Sequence, residues 1–285
     1  VTTTTRVLDY FASLVAEDDG LPLTEAALAL AQDAYPDLDV QGVLSALDAL
    51  AVRLKRRLDA DADAVQKLQA LNQFFYGELG FAGNLNDYYD PDNSYLNVVL
   101  DKRRGIPISL AVLYLELAQQ IGLNARGISF PGHFLLRVAV SGGEVMLDPM
   151  TGDALTESEM IEMLEPFVSG PATRGDSVAK TLRGLLQPAR AREVLARMLR
   201  NLKSIYEQNE RWQRLLAVQQ RLVLLLPYSI EEVRDRGIAF ARLDYVRPAL
   251  SDLQRYLDAC ADAEDATAIE AQLAELRQRA SHNDH

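Results

Sequence analysis

NLNDYYDPDNSYLNVVLDKRRGIPISLAVLYLELAQQIGL (residues 84–123) passes through a short loop into GISFPGHFLLRVAV (127–140) and, after a turn, EVMLDP (144–149). The apolar run from Ile106 to Leu117 reads as a core helix. Pro107 is tolerated in its first turn, where a backbone N–H has no helical partner, and Gly122 supplies the left-handed residue that closes a helix. Ser109, Glu116 and Gln120 fall about two and three turns apart and so share one narrow polar strip on this rod. Two strand-like segments follow, paired about Ser141-Gly142-Gly143, the first carrying His133 and the second ending at Asp148. Counted from Gly142, His133 lies nine residues before the turn and Asp148 six after it. Their approach therefore requires a bulge or a bent end. His133 is the only histidine outside the last four residues.

Ahead of the core helix, residues 80–95 lose periodicity and concentrate Asn, Asp and Pro, as an irregular surface loop does. Asn86, Tyr88, Asn93 and Asn97 are the candidates here to line a groove. A calcium loop does not fit: counted from Asp90, Tyr95 stands where the EF-hand needs Gly and Asp101 where it needs Glu. Further toward the N-terminus, apolar residues recur at helical spacing in 5–17, 24–34, 40–58 and 62–79, predicting four helices, with Pro36 ending the second. Ser158 to Leu164 is another expected helix, and Phe167 to Gly175 has the composition of a linker.

From Ala191 the pattern is helical and repeats. A shift of 34 residues brings Tyr206 onto Phe240, Trp212 onto Val246, Leu216 onto Leu250 and Arg221 onto Arg255. That is the tetratricopeptide period. Lys203 aligns with Gly237, where this repeat prefers a small residue, so the first unit departs from the pattern. The expected architecture is α+β: a helix-rich domain with a small antiparallel sheet over 1–180, then an all-α tetratricopeptide-like module over 188–279.

Totals limit the possible roles. Lys and Arg number 29 against 41 Asp and Glu, a net charge of −12 that repels phosphate backbones and anionic lipid, so neither nucleic acid nor membrane is an expected partner. The apolar run of the core helix falls short of the roughly 20 residues that span a bilayer. One cysteine, Cys260, cannot form an internal disulfide, and no secretory leader is recognisable at the start of the numbered chain, which predicts a cytoplasmic location. No cofactor or metal is expected, including at His282 and His285.

GIPISLAVLYLELAQQIGL, PGHFLLRV and LDP, with NDYYDPDNSYLNVVLDKRRG upstream and the helical repeat downstream, together resemble the bacterial SirB-type family of transglutaminase-like proteins. The resemblance implies a papain-related core with a tetratricopeptide C-terminus. In active members of the wider superfamily, a Cys at the start of the central helix, a His on the next strand and an Asp on the strand after form a triad. His133 and Asp148 match the last two positions. Pro107, or Ser109 after a two-residue slide, stands beneath the Cys.

Two functions are compatible with this pattern. The first is a non-catalytic regulatory or adaptor protein that binds a protein or peptide partner through its groove and its repeats. The second is a Ser-dependent hydrolase or acyltransferase, in which Ser109 attacks, His133 acts as base and acid, and Asp148 orients the imidazole. A thiol paired with imidazole forms a thiolate near neutral pH, whereas a serine needs an aligned base and oxyanion donors, for which Asn86, Asn93 or a helix-start amide would serve.

Overall fold

The structure is a computed structural model and describes residues 2–167 and 176–283. In chain order its elements are α1 (Thr2–Leu14), α2 (Leu23–Ala29), α3 (Val40–Lys55), α4 (Ala64–Asn72), β1 (Ala82–Gly83), α5 (Leu96–Lys102) and β2 (Arg104–Gly105). Next come α6 (Pro107–Gln120), β3 (Ala125–Ile128), β4 (Leu135–Val140), β5 (Gly143–Leu147), β6 (Ala154–Leu155) and α7 (Glu157–Leu164). The chain closes with α8 (Asp176–Leu185), α9 (Ala191–Gln208), α10 (Trp212–Leu225), α11 (Ile230–Arg242), α12 (Val246–Ala259) and α13 (Ala266–Asn283). This is the helix-rich α+β architecture expected from the sequence. No helix among the described residues is long and apolar enough to cross a membrane.

The chain forms two compact units. One comprises residues 22–31 and 37–198; the other comprises 1–21, 32–36 and 199–285. Compactness thus groups α1 and residues 32–36 with the repeats rather than with the domain that follows them in sequence. Most of the expected linker, 168–175, lies outside the described residues.

In the first unit α6 is buried on all sides over its first two turns, from Pro107 through Tyr114, as expected of a helix that is apolar apart from one narrow strip. The four-stranded sheet runs β3-β4-β5-β6, antiparallel throughout. Val140 pairs with Gly143, so Ser141 and Gly142 make a two-residue turn, with Gly142 at φ 93°. Beneath the sheet Ile128, Phe130, Leu135 and Met146 pack with Met160, Leu164 and Leu182. A parallel pair, β1 with β2, completes the β-structure.

α4 does not continue to residue 79 as a regular helix. Gln73–Glu78 winds as a π-turn, which buries Phe74 and Phe75; Phe75 stacks on Phe81 at 4.1 Å and meets Tyr114 edge-on. The wider turn lets the successive aromatics Phe74, Phe75 and Tyr76 each reach a separate neighbour. Turns of this kind recur where a helix must redirect side chains.

The second unit carries the repeat. Glu210 and Asp244, one period apart, both adopt positive φ, 53° and 63°. The following amides bond back identically, Arg211 N to Tyr206 O at 2.8 Å and Tyr245 N to Phe240 O at 2.9 Å. At Gly237 a Cβ would meet Leu253 at 2.9 Å, which explains the small residue there. Lys203, its counterpart, instead bonds Glu232 at 3.2 Å and pairs with Asp235. A required void in one repeat is therefore a cross-helix ion pair in the other. Arg221, buried in α10, pairs with Asp33 and lies over the Phe11 ring of α1, 5.7 Å from its centroid.

Candidate functional site

His133 does not lie in β4 but in the turn before it, where Gly132 takes φ 65° and the His133 amide bonds Phe130 O at 3.2 Å. Leu136 opposes Leu147 in the hairpin, and continuing that register puts Asp148 opposite Leu135, two residues past His133. The bend at 130–133 removes this offset. His133 Nε2 stands 3.1 Å from Asp148 Oδ1, off the line of a well-directed N–H bond. Because Nε2 faces the carboxylate, Nδ1 is the ring nitrogen left for any other partner.

Asp148 opens a tight turn. Its Oδ1 also accepts the Met150 amide at 2.8 Å, and its carbonyl accepts the Gly152 amide at 2.8 Å. Burial pushes the Asp148 carboxyl up, but the His133 ring and the Met150 N–H outweigh it and hold the group below its ordinary range. The π-turn supports this arrangement: Tyr76 donates to Pro149 O at 3.1 Å, and Asn72 donates to Gly152 O at 3.3 Å while accepting from Tyr114 at 2.7 Å. Burial drives the Tyr76 and Tyr114 hydroxyls well above the usual tyrosine range, so both stay neutral donors. Gly152 must be small, since a Cβ there would strike the Tyr76 ring at 2.3 Å.

Ser109 is fully buried. Its hydroxyl donates to Asn93 O at 2.6 Å and accepts from Ile106 N at 3.1 Å, so it caps α6 and ties the helix start to the preceding loop. Gly105 makes room for it, because a Cβ there would come within 2.7 Å of Ser109 Oγ. Farther along the polar strip, Glu116 accepts from Thr24, and Gln120 bonds Glu116 and Asp48. These are links between helices.

The groove candidates divide. Asn93 is buried and organises the loop: its amide donates to Asp87 O at 2.6 Å, and its Oδ1 accepts from Asn84 at 3.0 Å. Asn86 and Tyr88 are exposed on the same loop. Asn97 is half-buried at the start of α5, with a buried Oδ1 that has no hydrogen-bond partner among the described residues; buried Ser94 Oγ is in the same condition.

Arg197, unremarkable in the sequence of α9, reaches the His133 turn. Its Nη1 donates to Ser129 Oγ and Phe130 O, both at 2.8 Å, and its guanidinium lies 5.8 Å from the centre of the Phe134 ring. Tyr76, Asn72 and Arg197 were not identifiable as site residues from sequence, since each sits in an ordinary amphipathic pattern and acquires its role through tertiary contact. In the second unit, a separate cavity of about 580 Å3 is lined by Leu216, Phe240, Leu243, Tyr245 and Pro248, with Arg214 at its wall.

Comparison with known proteins agrees with this architecture. A family model described as the transglutaminase-like superfamily matches residues 41–200, and a tetratricopeptide-repeat model matches 202–274. A UPF0162 protein of Xylella fastidiosa is 37% identical over 261 residues, covering 91% of this chain and 92% of that protein. A UPF0162 protein of Vibrio cholerae is 30% identical, over 92% of this chain and 95% of its own length. Protein SirB1 of Salmonella typhimurium is 28% identical, over 90% and 93%. With residues 41–200 and the trailing repeats matched, the chain belongs to the transglutaminase-like superfamily, among the bacterial UPF0162 proteins that include SirB1.

Proposed function

We propose that this protein is a non-catalytic, transglutaminase-like regulatory or adaptor module of the cytoplasm that binds a protein or peptide partner. One observation carries the reading: the Ser109 hydroxyl, the nearest thing to a nucleophile at the head of the central helix, is fully buried and engaged with Asn93 O and Ile106 N. A serine nucleophile must present its oxygen to substrate and its proton to a base. Here the proton points to a backbone carbonyl. The His133–Asp148 pair then serves as a fixed, partly exposed polar feature of the domain surface, and the lone cysteine fits a reducing compartment.

The repeats support a binding role on different grounds. Their cavity is lined by Leu216, Phe240 and Tyr245 beside Arg214, the mixture of aromatic and guanidinium groups that anchors peptide recognition. Quantitative capture with the immobilised full chain tests the proposal. Saturable, stoichiometric binding of a partner is expected, weakened by Tyr245→Ser or by substitutions around His133. Turnover of an ester or amide that is lost in Ser109→Ala and His133→Ala, with no saturable partner, would replace this reading by the hydrolase one.

A further inference from the structure

Arg197 is a half-buried cation without an acidic partner. Nη1 carries both of its hydrogen bonds, each to a neutral acceptor, Ser129 Oγ and Phe130 O. Nε and Nη2 make no hydrogen bond, and no carboxylate pairs with the group, among the described residues. Burial lowers its affinity for its proton, and among the described residues the ionisable group that acts on it is the Tyr88 hydroxyl, from the 84–95 loop. Elsewhere in this acidic chain Arg200, Lys203, Arg221, Arg234, Arg236 and Arg279 are each paired with carboxylates.

The guanidinium is also held in place. Its two bonds fasten it to the turn that carries His133, and the Phe134 ring backs it. A planar cation that is fixed, partly desolvated and left with free donors is prepared for a planar anion. We propose that Arg197 forms a carboxylate-binding subsite on the turn that carries His133. The anion is a monoanion: one cation matches a single negative charge, and the net charge of −12 disfavours a dianionic phosphate. The source in a partner is an acidic side chain or a chain terminus. The subsite deepens the partner-binding role proposed above and rests on it only for the identity of the ligand.

The intact chain, labelled with 15N, tests the subsite directly. Sodium acetate is titrated against sodium chloride at matched ionic strength while the Arg197 Nε–H resonance is followed. A saturable shift with acetate and none with chloride is expected. An equal response to both salts, no saturation, or tighter binding of inorganic phosphate would overturn the proposal. Two N-acetylated peptides then separate the sources, one with a free C-terminal carboxylate and no acidic side chain, the other amidated with one internal Glu. The peptide that binds should lose roughly tenfold to a hundredfold in affinity when its carboxylate is converted to the amide, and Arg197→Gln should abolish that difference. If Arg197→Gln leaves the difference intact, the proposal fails; Arg197→Lys, which keeps the charge but not the fork, serves if Gln disturbs the fold. Acetate binding without any captured partner would uphold the subsite and refute the adaptor role. A captured partner without acetate binding would do the reverse.

Discussion

Ser109 links the loop that precedes α6 to the start of that helix. Its hydroxyl serves the Ile106 amide and the Asn93 carbonyl inside the core and also lies 3.0 Å from Ile106 O, so Ser109→Ala should leave the amide and the Asn93 carbonyl unmet. We expect a loss of about 1–3 kcal/mol in urea-unfolding free energy, with partner binding preserved once the variant is folded. Asp148 gives a pH signature. Its folded pKa is depressed below the ordinary 3.8, so the stability it contributes is complete above that value and disappears as pH falls through the folded pKa. The stability difference between wild type and Asp148→Asn should therefore shrink as the pH is lowered below the ordinary carboxylate range. A gap that widens in acid would show that the carboxylate is not favoured by folding.

At the level of elements, the core helix was legible because Ile106 to Leu117 is apolar but for the narrow strip of Ser109 and Glu116, with Pro107 in its first turn and Gly122 just past its end. The hairpin was legible too, but not the meeting of His133 with Asp148. The two-residue offset is removed by a bend at Gly132 whose closing bond, His133 N to Phe130 O, follows from no local pattern. The π-turn was hidden for a related reason: a 3.6-residue period and one wider turn place nearly the same residues inward, and only the contacts of Phe75 and Tyr76 distinguish them. Tyr76 is the outcome of that turn that matters to the site. Tyr76→Phe keeps the ring against Gly152 and deletes the bond to Pro149 O; it should cost about 1 kcal/mol. It should also raise hydrogen exchange at Met150 and Gly152, whose amides bond Asp148. Unchanged exchange there would mean that the 148–152 turn holds itself.

For the whole molecule, the repeat period was visible in sequence, whereas the grouping of α1 with the repeats was not, because nothing local ties Phe11 to a residue two hundred positions away. Arg221 makes the connection: it is buried, pairs with Asp33 and lies over Phe11. Phe11→Ala should cost about 3–5 kcal/mol and should lower hydrogen-exchange protection in α10 and its neighbour α11. Protection in α6 and the β3-β6 sheet should remain. Loss confined to α6 and the sheet would contradict the grouping.

The central claim, that the transglutaminase-like scaffold has no working nucleophile at the head of α6, meets its most direct test in covalent labelling. The intact chain is exposed to a fluorophosphonate across neutral and mildly alkaline pH, and the adduct is located by peptide mass spectrometry. Ser109, buried and hydrogen-bonded to Asn93 O, is predicted to remain unmodified in the wild type and in His133→Ala alike. A stoichiometric adduct on Ser109 that disappears in His133→Ala would contradict the account.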